Sequence, residues 1–181
     1  RDAKLNHRTL VSFIGSNAIP PILDALDLAV CANMPISTII AHTAEMRLDC
    51  LDGATDAGLR PWLCQSTGRH AWGGMVRGYM QPPDLIIGNS FFCNTTSTGW
   101  EFWAHWLGVP YFRLDRPFTY NEHGVQTYAK QLGNLIHWLE EQTGHKMDWN
   151  KLKQNVENLR EFLALRKEIS ELRKAIPHPM R

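Results

Sequence analysis

Residues 84–88 (DLIIG), set off by Pro82 and Pro83, form a short strand-length run that is unbroken and apolar after Asp84. A strand that is apolar on both faces must be covered on both faces, which requires helices above and below a parallel sheet. The rest of the chain supplies matching pieces. Residues 10–14 (LVSFI) read as a first strand ended by Gly15 and Ser16, 29–32 as a short second strand, 61–64 (PWLC) as a third and 109–114 (VPYFRL) as the last. Helices alternate with them. Pro20 and Pro21 suit the first turn of a helix through about residue 28, and Ile40, Ala44, Leu48 and Leu51 return at helical spacing over 39–57 before Gly58. Ser66 and Thr67 are N-cap types ahead of a small glycine-dotted helix to about Gly78. Thr95 or Thr96 can cap a helix carrying Trp100, Phe102, Trp103 and Trp106 that ends at Gly108.

Two long helices follow. The first, over about 124–142, aligns Val125, Tyr128, Leu132, Leu135, Ile136 and Leu139; the second, over about 149–176, is read with Leu152, Val156, Leu159, Leu163, Ile169 and Leu172 as its stripe. The expected fold class is α/β, a parallel Rossmann-like sheet flanked by helices and followed by long C-terminal helices. Residues 1–120 are expected to be the α/β domain, and 121–181 a helical segment leading toward a second domain not present in this chain. The start at Arg1 without a methionine and the stop after IPHPMR are what a fragment of something longer would show.

Composition narrows the function classes. With 19 basic against 18 acidic residues the net charge is +1, so nothing draws the chain as a whole to nucleic acid or to an anionic membrane. No apolar run approaches the roughly 20 residues of a membrane span, and a cytoplasmic location is expected. Gly68, Gly73, Gly74 and Gly78 form neither GxGxxG nor a P-loop, and the eight histidines contain no HExxH. His105 and His137 read as core or surface groups.

The four cysteines carry the remaining signal. Cys64 and Cys93 each stand where a strand is expected to end and a helix to begin. Such junctions gather on the carboxyl edge of a parallel sheet, so residues far apart in sequence can meet there without a CxxC spacing. Helix N-terminal N-H groups also lower a thiol pKa and favour the thiolate that binds metal. On these grounds the two sulfurs are expected within about 7 Å of each other, a cluster-sized span. The plain alternative is that each is a small buried hydrophobe. Cys31, at the end of the second strand, and Cys50, inside a helix, read as packing residues, with Cys31 the better placed to approach the same edge.

The segments WLCQSTGRHAWGG, PDLIIGNSFFCNTT, LGVPYFRLDRPF and QLGNLIHWLEEQTGHKMDWNKL, in that order over residues 59–152, resemble the subunits of 2-hydroxyacyl-CoA dehydratases and class I benzoyl-CoA reductases. The resemblance implies that Cys64 and Cys93 are ligands of a 4Fe-4S cluster in the 1–120 domain, with a third cysteine outside this chain. It makes Ser16 the serine beside the open iron position, although Ile19, Pro20 and Pro21 replace the usual proline-glutamate that follows. After the second strand the chain reads MPISTII, where catalytic subunits often carry polar residues, which leaves open an electron-relay role. The implied partners are a homologous second subunit, an ATP-hydrolysing iron–sulfur activator and an acyl-CoA or aryl-CoA substrate. The implied activity is an anaerobic radical reaction, in which one electron reaches a CoA thioester. Either the ketyl radical anion expels the hydroxyl group, as in a lyase, or an aromatic ring is reduced. ATP would enter only through the activator. Two readings from other classes stand beside it: a noncatalytic α/β binding or assembly module with buried thiols, and a zinc-binding α/β protein.

Overall fold

The computed structural model describes residues 9–13, 17–64, 69–90 and 94–176, apart from the side chains of 32–36 and 94–96. Its centre is a four-stranded parallel sheet in the order β2-β1-β3-β4, formed by β1 (Leu10–Phe13), β2 (Ala29–Ala32), β3 (Leu85–Asn89) and β4 (Tyr111–Leu114). Alternation along the strands splits the core into two layers. Val11, Phe13, Leu85 and Ile87 face one side, together with Ile22, Leu23, Leu135 and Leu139. Ile86 faces the other, with Trp72, Trp100 and Trp103. The LIIG run that follows Asp84 is thus apolar because both of its faces are covered, as a parallel sheet requires.

Helices α1 (Ile19–Ala25), α6 (Glu122–Thr143) and α7 (Trp149–Leu172) lie over the first layer; α2 (Asn33–His42), α3 (Ala44–Asp56), α4 (His70–Val76) and α5 (Asn94–Leu107) lie over the second. Helix α6 begins where the Asn121 side chain accepts the Gly124 N-H at 2.9 Å, and it stops at Gly144, whose φ of 72° needs a residue without a Cβ. The aromatic helix α5 delivers Trp100 and Trp103 to the core, each 1% exposed, and leaves Trp106 half outside. Trp72 stacks on Trp103 with ring centroids 5.2 Å apart.

Three expectations need correction. Residues 61–64 are a turn rather than a strand: the Leu63 N-H donates to the Arg60 carbonyl, and Trp62 stands 76% exposed beneath the Arg60 guanidinium. A four-residue apolar stretch cannot by itself distinguish a buried strand from such a turn. The helix expected over 39–57 is two helices, α2 and α3, parted at Thr43. There the backbone is extended and the hydroxyl donates back to the Ile39 carbonyl at 2.9 Å. Finally, α7 buries no residue at all, and its expected single stripe is two. At 100° per residue, Leu152, Val156, Leu159 and Leu163 share one face, whereas Ile169 lies roughly a third of a turn away and Leu172 nearly half a turn away.

Candidate functional site

The strand order fixes where a ligand belongs. From β1 the chain goes outward to β2, then returns across to β3 and β4, so the direction of winding reverses between β1 and β3. In open parallel sheets the crevice outside the carboxyl ends of the two strands flanking such a reversal is the binding site. Here those ends are Phe13 and Asn89, which close β1 and β3. The connection leaving β1 contains Ser16, and the one leaving β3 contains Cys93. Both residues, and with them the expected 7 Å separation, lie outside the described residues. What is described is the frame around them. Asn89 is wholly buried, Ser90 donates its backbone N-H to the Leu114 carbonyl, and the Ser90 hydroxyl accepts the Arg116 N-H at 2.9 Å, tying the exits of β3 and β4 together.

Cys64 occupies irregular backbone six residues ahead of α4 and is exposed. The turn that carries it is fixed from below by Arg69, itself only 6% exposed. The Arg69 guanidinium donates to the Pro61 carbonyl at 3.1 Å, the Leu51 carbonyl at 2.8 Å and the Thr55 hydroxyl at 2.7 Å, fastening the 61–64 turn to α3. The neighbouring His70 is 3% exposed and neither ring nitrogen has a hydrogen-bond partner among the described residues; burial, then the positive charges of Arg69 and Arg47, push its pKa below the usual histidine value.

The other two cysteines are different in kind. Cys50 is wholly buried in the second core layer, where burial, with a smaller contribution from Asp49, pushes its thiol pKa up. Cys31 lies in β2 opposite Ser12, half-buried, and burial likewise raises its thiol. Raised pKa values suppress the thiolate that a metal needs. Cys64, exposed and outside regular structure, is by its chemistry the described cysteine that fits an iron ligand. Among the described residues no three His, Cys, Asp or Glu side chains converge as a metal-binding group, so a cluster would need Cys93 and at least one donor from elsewhere.

Sequence reading did not anticipate one further feature. Beyond the carboxyl end of β4, an apolar recess of about 610 Å³ opens between the 116–120 segment and α6, lined by Arg116, Pro117, Tyr120, Val125, Tyr128 and Leu132. The Arg116 guanidinium lies 5.0 Å from the centre of the Tyr120 ring. Arg116 and Pro117 are visible in the LDRPF motif, but nothing in their spacing announces a cavity.

A parallel α/β sheet whose winding reverses between β1 and β3 defines the class, and comparison with known proteins defines the family. Residues 18–181 match the family model of the 2-hydroxyglutaryl-CoA dehydratase D-component, and the chain belongs to that family. It is 30% identical over 137 residues to the lactoyl-CoA dehydratase subunit alpha of Anaerotignum propionicum, an alignment covering 74% of this chain and 31% of that protein. The chain therefore spans about a third of the length of this relative. No helix among the described residues is long and apolar enough to cross a membrane.

Proposed function

We propose that this chain is the iron–sulfur portion of a 2-hydroxyacyl-CoA dehydratase subunit, acting in the cytoplasm, with Cys64 and Cys93 as ligands of a 4Fe-4S cluster and a third cysteine ligand outside the chain. The observation that carries the reading is the family match over 18–181 combined with a strand order whose reversal point lies between the connections holding Ser16 and Cys93. When bound, the cluster would supply low-potential one-electron chemistry for removing water from a CoA thioester.

The chain's own residues have narrower tasks. Residues 1–120 are the cluster-binding part and 121–181 the helical part. Cys64 and Cys93 hold the cluster, and Arg69 keeps the Cys64 turn in place. Ser16 is the polar group beside the substrate oxygen. The recess beside Arg116 and Tyr128 suits an apolar stretch of the thioester. The name of the relative, a subunit alpha, supports a homologous partner subunit. ATP is hydrolysed by a separate activator.

The test is an anaerobic assay of the complete polypeptide with its partner subunit, activator, ATP and a 2-hydroxyacyl-CoA. Formation of the 2-enoyl-CoA is expected. Reduction of benzoyl-CoA in its place would assign the chain to the reductase branch, and failure of both reactions with an intact cluster would refute the catalytic reading.

A further inference from the structure

Tyr111 opens β4 and carries a hydroxyl group that the fold buries and leaves without a hydrogen-bond partner among the described residues. Its place follows from the register. Tyr111 lies beside Ile86 in the sheet, so its ring stands on the second-layer face, and Gly88 is the next residue of β3 on that face toward the carboxyl end. The ring leans that way. A Cβ at Gly88 would stand 2.7 and 2.8 Å from two ring carbons and nearer still to the hydroxyl oxygen, so the phenol fills the space that a side chain at 88 would take.

The hydroxyl therefore ends one residue short of Asn89, beneath the carboxyl exit of β3, one of the two strands that flank the reversal point. Helix α5, which covers this layer, starts from the same exit. A buried phenol without a partner loses its hydrogen bonds to water and gains none, whereas phenylalanine would fill the volume without that penalty. Burial, and after it the charge of Glu101, pushes the Tyr111 pKa up, so the group stays protonated and can donate. The buried indoles of Trp100 and Trp103, which α5 brings to this layer, are donors only and cannot accept from it.

We propose that the Tyr111 hydroxyl is a hydrogen-bond donor to a sulfur of the cluster at the exit of β3, on the side of Cys93, and that it raises the cluster's reduction potential. The proposal rests on the cluster reading above and adds to it a residue that tunes the cluster without ligating it. The sign follows from charge. Reduction adds negative charge to the sulfur atoms, so a donor to sulfur stabilises the reduced state more than the oxidised one.

Tyr111→Phe tests this in the complex of the complete polypeptide with its partner subunit, purified anaerobically and titrated with reductant while the cluster is followed by electron paramagnetic resonance. The exchange removes one oxygen and keeps the ring, so the urea midpoint of unfolding should hold or rise, and iron and sulfide should be retained. The potential is expected to fall. At the parent's midpoint the ratio of reduced to oxidised cluster should be about fivefold lower in Tyr111→Phe, the worth of one hydrogen bond. Tyr79→Phe, which removes a hydroxyl that donates to Asp49, should leave the ratio unchanged. A Tyr111→Phe cluster with the parent's potential or a higher one, an equal shift in Tyr79→Phe, or loss of iron from Tyr111→Phe overturns the proposal and leaves the cluster reading standing. A folded parent without iron and sulfide overturns both.

Discussion

Gly73 is where α4 comes closest to α3, and replacing it with alanine tests whether that approach is built into the fold. A Cβ at Gly73 would run into the Cys50 carbonyl and stand 2.8 Å from the Cys50 Cα. Carbon atoms rest about 3.5–4.0 Å apart, so the helices would have to separate by about 1 Å or more. The obstacle is backbone, which cannot rotate away as a side chain can. The next residue is confined too, since a Cβ at Gly74 would lie 2.9 Å from Ile40 on α2. Separation would loosen Trp72, Ala71, Cys50 and Ala54, all wholly buried. Overpacking of this kind costs about 3 kcal/mol, against which alanine's better helix propensity returns about 1, leaving a net loss of roughly 2 kcal/mol. With a urea slope near 2 kcal/mol per molar, the unfolding midpoint should fall by about 1 M. Gly133→Ala on α6 is the control: nothing lies within 4 Å of its Cβ, so the same exchange should stabilise by about 0.5–1 kcal/mol. A Gly73→Ala chain as stable as the parent would refute the close approach of α3 and α4.

Arg69→Ala removes the donor to three oxygens that hold the 61–64 turn, and should cost about 2–4 kcal/mol in urea unfolding while speeding the reaction of Cys64 with a thiol reagent; unchanged reactivity would separate Arg69 from the Cys64 turn. His70 is held neutral in the fold, so its contribution is complete above the unfolded-state pKa of about 6.5 and is lost as pH falls below it, where the unfolded chain binds the extra proton. Stability should drop by up to about 1.4 kcal/mol per pH unit there, and His70→Gln should flatten that slope; equal slopes in both chains would show that His70 is not the group responsible.

The sheet was legible because its strands are two-faced. The run 85–88 could be apolar throughout only inside a parallel sheet, and residues 29–32 were recognisable as a strand because they sit between helical segments at the right spacing. The glycine stop at 108 followed from its chemistry, with φ at 66°. Where the sequence misled, a local interaction had overridden the pattern. The apolar letters of PWLC join a turn because Arg69, from outside that segment, captures the Pro61 carbonyl. Thr43 divides a helix by bonding to the turn before it. The C-terminal helix looked like one amphipathic stripe because its two faces overlap in sequence, and their divergence becomes plain only once the antiparallel α1 is seen to begin beside Phe162. As to the site, the sequence distinguished Cys50, a packing residue, from Cys64. The recess beside Arg116 was invisible to it because cavities arise between elements.

The central claim is that Cys64 and Cys93 bind a cluster, and iron and acid-labile sulfide measured on the anaerobically purified protein test it most directly, alongside Cys64→Ser, Cys93→Ser and Cys50→Ser. The account predicts a brown parent, with iron and sulfide falling severalfold in the first two variants and kept in Cys50→Ser, because a ligand supplies a bond and a buried thiol supplies packing. A folded parent without iron and sulfide, or iron content equal in all three variants, would contradict it.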